Sequence, residues 1–106
     1  MVKIILTEPA EFEWDEGNAD KNLVKHHITT QEIEETFTNR PIYIFEDSKH
    51  STVIEKRFGM FGKTNQGRLL ATTFTNRKAK IRAISSRDMS RKERETYEKI
   101  KANSQI

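Results

Sequence analysis

The feature that most constrains this chain is a change of hydrophobic period at Pro41. Before it, apolar residues recur at helical spacings of three and four. After it they alternate, and the alternating runs are joined by short turns. Ile42–Phe45 is a short β run. Thr52–Lys63 alternates, with Ile54, Phe58 and Met60 on one side and Val53, Glu55, Arg57 and Phe61 on the other. Asn65-Gln66-Gly67 reads as a turn, Arg68–Thr75 as a strand, Asn76–Lys78 as a second turn and Ala79–Arg87 as another strand. Parallel pairing needs a crossover of about a dozen residues or more, and these turns are too short to supply one. Antiparallel hairpins in a meander are expected.

Helices flank that meander. Asp15 can cap a helix over Glu16–His26, with Ala19, Leu23 and His27 on one stripe and Asn18, Lys21, Asn22 and Lys25 opposite. His26 falls at the seam. Thr29 and Glu32 form a capping box, Ile28 can staple onto Ile33, and the helix should run to about Thr38, burying Ile33 and Phe37. Ser90 and Glu93 repeat the box and start a last helix to about Lys101, with Tyr97 and Ile100 inward. Glu11–Trp14 is short and extended in character, and the leader before Pro9 adds an edge strand or stays loose. Helices, then a run of strands, then a helix make an α+β fold with an antiparallel sheet. At 106 residues this is one domain, 1–106.

Composition excludes several classes of chemistry. Without cysteine there is no disulfide framework, thiolate metal site or cysteine nucleophile. No apolar run is long enough to span a bilayer, and Met1–Thr7 lacks the pattern of a signal peptide, so a soluble, cytoplasmic protein is expected. Charge is unevenly spread. Met1–Glu55 carries −7, Lys56–Asn76 +4 and Arg77–Ile106 +6. An acidic front and basic back can hold a polyanion or a mixed-charge partner on one side; equally, two faces can simply balance each other.

Neither a metal site nor a cofactor is expected. His26 and His27 point about 100° apart on a helix and cannot both face one ion, and His50 lies in the polar loop Asp47–Ser51. The glycines are scattered, so no loop cradles phosphate, and there is no serine elbow. What remains is imidazole, carboxylate and guanidinium. Glu55 and Arg57, two apart on a predicted strand, face the same way; Arg82 and Arg87 lie on the last strand or its end; Lys21 and Lys25 share the polar face of the first helix. Metal-free RNA cleavage uses such groups: a base for the ribose 2′-hydroxyl, an acid for the leaving 5′-oxygen, and cations for charge developing on phosphorus. Arg suits the last role because its fork matches phosphate oxygens. The same residues also fit plainer roles. Glu55–Arg57 can be an exposed ion pair, Lys21 and Lys25 a solvated face, His26 a helix-end cation, and His27 either a packed residue or the left-handed residue that ends the helix.

The order of short motifs resembles the BrnT family of type II toxins. The likeness runs through Phe12-Glu13-Trp14-Asp15-Glu16, Asn18, Lys21, Asn22, Lys25-His26 and Glu46-Asp47-Ser48. It continues through Glu55-Lys56-Arg57-Phe58, Gly62, Gly67-Arg68-Leu69-Leu70 and Ile81-Arg82-Ala83-Ile84-Ser85-Ser86-Arg87, and closes at Arg91-Lys92-Glu93-Arg94 and Tyr97. The matching core is thus about 12–97. The resemblance implies a RelE-like toxin fold and a metal-independent endoribonuclease that arrests bacterial growth. It also implies a BrnA-type antitoxin as partner, with DNA contacted only through that antitoxin. It puts Glu55 or His26 in the acid/base role, Arg57, Arg82 and Arg87 in the phosphate clamp, and Lys21 and Lys25 along the RNA backbone.

The chain departs from the family's pattern in three places, one of them being that Met1–Glu11 extends beyond the matching core. Lys25-His26-His27 stands where the family tends to have Lys-His-Gly, and Ile54-Glu55-Lys56-Arg57 keeps one acid of a glycine-acid-acid-arginine segment. An alternative function is a catalytically silent partner of a DNA-binding repressor. A general RNA-binding module is disfavoured by the lack of any base-stacking motif.

Overall fold

The computed structural model describes residues 11–20, 26–49 and 51–104. In chain order the elements are α1 (Thr30–Thr38), β1 (Tyr43–Glu46), β2 (Arg57–Lys63), β3 (Leu69–Arg77), β4 (Lys80–Asp88) and α2 (Arg91–Ser104). The strands form one antiparallel sheet in the order β1-β2-β3-β4, the α+β meander that the short links require. One N-terminal helix is present among the described residues. Of the predicted Glu16–His26 helix, residues 16–20 form turns, and 21–25, with Lys21 and Lys25, lie outside the described residues, as does His50.

Both capping boxes form. The Thr29 amide donates to Glu32 Oε1 at 2.9 Å and the Glu32 amide to Thr29 Oγ1 at 3.1 Å; the Ser90 amide donates to Glu93 Oε1 at 2.8 Å and the Glu93 amide to Ser90 Oγ at 3.2 Å. Each pair satisfies amides that a helix start leaves orphaned. His27 takes the left-handed conformation, φ +56°, between helical His26 and buried Ile28.

Two strand boundaries differ from the sequence pattern. β2 starts at Arg57, not Thr52. The Asp47 amide closes the hairpin on Arg57 O at 2.9 Å, and Thr52 folds back on Glu55, its amide donating to Glu55 O at 2.8 Å. That local turn throws Val53 and Ile54 into solvent, although Ile54 continues the alternation of Phe58 and Met60. The β3–β4 turn is Lys78-Ala79, both at positive φ (+52° and +66°), linking the paired residues Arg77 and Lys80. This is the geometry of a type I′ hairpin, formed without the Asn or Gly that usually announces it. Asn76, where the turn was expected, is still in β3.

The sheet packs against a helix on each face, on one of them only at the end nearest α2. On one, Ile33 and Phe37 of α1 pack with Phe58, Met60, Leu70 and Phe74. Phe12 and Trp14 add to this face, as the 11–13 segment runs parallel beside β4 through the Phe12–Ile81 bridge. On the other, Tyr97 of α2 packs with Phe61, Ala71 and Met89, and its hydroxyl donates to Pro41 O at 2.7 Å. A β-bulge interrupts the β3–β4 ladder. Phe74 opposes Ala83 but Thr73 opposes Ser85, leaving Ile84 as the extra residue.

Candidate active site on the open sheet face

Directly opposed residues of an antiparallel pair point to the same face. Arg57, Thr75 and Arg82 are opposed in turn, so they form a line across β2, β3 and β4. One row further along, Gly59, Thr73 and Ser85 form a second line, with Phe45 of β1 opposite Gly59. The third line is Phe61, Ala71 and Arg87, next to α2. Rows on one face are two residues apart, about 7 Å along the strand.

The bulge makes this face. Arg82 and Arg87 are five residues apart, an odd number, and in a regular strand would point to opposite faces. The extra residue at Ile84 resets the alternation, so both share the face of Arg57.

Each guanidinium here meets a carboxylate. Asn18, 2% exposed, pins the N-terminal segment: its Nδ2 donates to Ala83 O at 2.9 Å and to Glu13 O at 3.0 Å. Glu13 and Asp15 are thereby held against Arg82, whose Nη1 donates to Glu13 Oε1 at 2.9 Å and to Asp15 Oδ2 at 2.7 Å. The bond from Arg82 holds the Asp15 carboxyl below its ordinary range. Arg77 bridges Glu13, at 3.4 Å, and Glu55, at 4.0 Å. Glu55 stands in the loop before β2, 3.7 Å from Arg57 Nε. That Nε is buried and makes no hydrogen bond among the described residues, where buried donors are nearly always satisfied. Arg87 grips Glu93 with both arms, at 2.6 and 2.9 Å, and the bond holds the Glu93 carboxyl down at about 2.

Between these charged borders lies a cavity of about 240 Å³, with Gly59, Thr73 and Ser85 on its floor and Phe45, Arg87 and Glu93 among its walls. Glycine at 59 lets the Phe45 ring lie against the β2 backbone as a wall of the cavity, because a Cβ there would collide with the ring.

The predicted site residues therefore divide. Glu55, Arg57, Arg82 and Arg87 share one face. His26 does not join them: its carbonyl accepts from Arg68 Nη2 at 3.0 Å, and its charge acts on Asp88. Asp88 opposes Leu70, so this cluster belongs to the α1 side of the sheet. There Arg68 ties β4 to α1, bonding Asp88 at 2.8 Å and Glu32 at 3.3 Å. Sequence reasoning missed Glu13, Asp15, Arg77 and Glu93 as partners of the arginines, and the small-residue floor of the cleft. Glu13, Asp15 and Glu93 all stood inside motifs of the family resemblance, and Glu93 was otherwise read as a cap. Among the described residues no three His, Asp or Glu side chains are grouped to hold a metal ion, and no helix is long and apolar enough to cross a membrane.

Comparison with known proteins fits this arrangement to a family. No curated protein matches the chain. The sequence pattern of the family described as ribonuclease toxin, BrnT, of type II toxin-antitoxin system matches residues 14–93. That span takes in the segment held by Asn18, the whole sheet and the Arg87–Glu93 pair. With the whole sheet and its arginines inside the matched region, the chain belongs to the BrnT family of ribonuclease toxins of type II toxin–antitoxin systems.

Proposed function

We propose that this chain is a metal-independent endoribonuclease that cuts RNA laid across the open sheet face, between the Arg57 and Arg87 borders. The observation that carries the reading is the Glu55–Arg57 contact. A carboxylate stands 3.7 Å from a buried guanidinium nitrogen that makes no hydrogen bond among the described residues, one row along β2 from Gly59 on the cleft floor.

Glu55 takes the proton of a ribose 2′-hydroxyl, and the 2′-oxygen attacks the adjacent phosphorus. The 5′-oxygen leaves with a proton from water, giving a 2′,3′-cyclic phosphate and a 5′-hydroxyl end. Arg57 and Arg87 meet the charge developing on the phosphate oxygens. Arg82, its fork taken by Glu13 and Asp15 and its side chain only 15% exposed, holds the acidic border in place, whereas Arg87, paired with Glu93 but 51% exposed, can turn to the phosphate. Lys21 and Lys25 guide the RNA backbone. A BrnA-type antitoxin silences the toxin, with DNA contacted through the antitoxin, and the exposed cations Arg91, Lys92 and Arg94 offer it an electrostatic foothold.

The test is cleavage of a short RNA against the same RNA with one 2′-deoxy sugar at the cut position. Loss of cutting at that position, with 2′,3′-cyclic phosphate ends elsewhere, is expected. Cutting of the deoxy substrate would refute the mechanism.

A further inference from the structure

We infer that the cleft over Gly59, Thr73 and Ser85 is a nucleobase subsite that sets which base flanks the cut. This rests on the cleavage reading for the identity of its substrate. The cavity, about 240 Å³, is smaller than the roughly 300–1,000 Å³ of pockets for drug-sized ligands, and it suits one ring system. Its floor is shallow because three successive strands contribute Gly, Thr and Ser in one row. One wall is the Phe45 ring, seated on Gly59 and held edge-on by Phe61 at 5.2 Å between centroids. An aromatic fixed in this way is a stacking platform for an unpaired base.

The floor is also polar in the right way. The hydroxyls of Thr73 and Ser85 have no hydrogen-bond partner among the described residues, while the neighbouring Thr72 and Ser86 hydroxyls, on the other face, bond each other at 2.9 Å. Hydroxyls both donate and accept, so two of them side by side can read a base edge. The borders agree. Arg57 lies about one row from this floor on one side and Arg87 on the other, each about 7 Å along the strand. A base in the cleft would leave its flanking phosphates within reach of both guanidiniums.

The test uses the full chain and the four ribonucleoside 3′-monophosphates, followed by NMR at the backbone amides of Gly59, Thr73 and Ser85, with ribose 5-phosphate as the base-free control. Saturable shifts at these amides are expected, differing at least several-fold in affinity among the four bases and absent with ribose 5-phosphate. Thr73→Val and Ser85→Ala, each checked for folding by its amide spectrum, should flatten the base preference of binding, and of cutting, while phosphate contact persists. Equal affinity for all four nucleotides and for ribose 5-phosphate would overturn the inference. Base-selective binding by a chain that cuts no RNA would keep the subsite and reject the cleavage reading.

Discussion

Glu55 and Arg57 meet without sharing a strand, because the Thr52 turn returns Glu55 to the start of β2. Their pairing was legible from a spacing of two, though for a different reason than the one that operates. Glu55→Gln should lower RNA cleavage by about 10²-fold or more, the usual worth of a positioned general base, whereas His26→Ala, on the far side of the sheet, should leave the rate unchanged. A gel assay of both variants decides between the two candidates for the base. His27 also has a readable consequence. A non-glycine residue in the left-handed region costs roughly 1 kcal/mol, so His27→Gly should raise the thermal midpoint by a few degrees. A lower midpoint would mean that the His27 side chain contributes more than its backbone costs. The departure from the family's glycine thus bears on stability rather than on the sheet-face site.

The elements were mostly legible, since capping boxes and alternation are local signals. What escaped was set by tertiary pairing. The type I′ turn at Lys78-Ala79 has neither Asn nor Gly, and its position follows from strand register. The Ile84 bulge has no residue signature, yet it alone puts Arg82 and Arg87 on one face. Glu93 illustrates how one side chain serves two elements. Its Oε1 caps α2 through the Ser90 amide and also accepts from Arg87 of β4. Its carboxyl is held at about 2 against an ordinary 4.5. A depressed carboxyl contributes stability that is full above its unfolded value and lost as pH falls through the folded one. Acid unfolding should therefore draw on this pair between pH 4.5 and about 2. Glu93→Gln, which keeps a capping side chain, should weaken the pH dependence in that window. An unchanged acid profile would show that the pair contributes nothing to it.

Across the whole molecule, the acidic front and basic back seen in the sequence are folded together. Glu13 and Asp15 from the front are matched to Arg77 and Arg82 from the back, so much of the opposed charge is spent internally, as the balanced-face reading allowed. Of the arginines in the three rows, the most open are Arg87 and Arg57, with side chains 51% and 34% exposed against 15% for Arg82. Single-stranded RNA binding should then weaken with salt, and Arg87→Ala should reduce the log–log slope by about 0.7, the share of one phosphate contact. A slope unchanged in that variant would place the RNA elsewhere. The most direct test of the account is RNA cleavage by the purified chain in EDTA, beside a Glu55→Ala/Arg57→Ala double variant shown by circular dichroism to be folded. Cutting by the parent chain alone is the predicted result. Equal cutting by both, or none by the parent chain, would contradict a metal-free nuclease centred on the open sheet face.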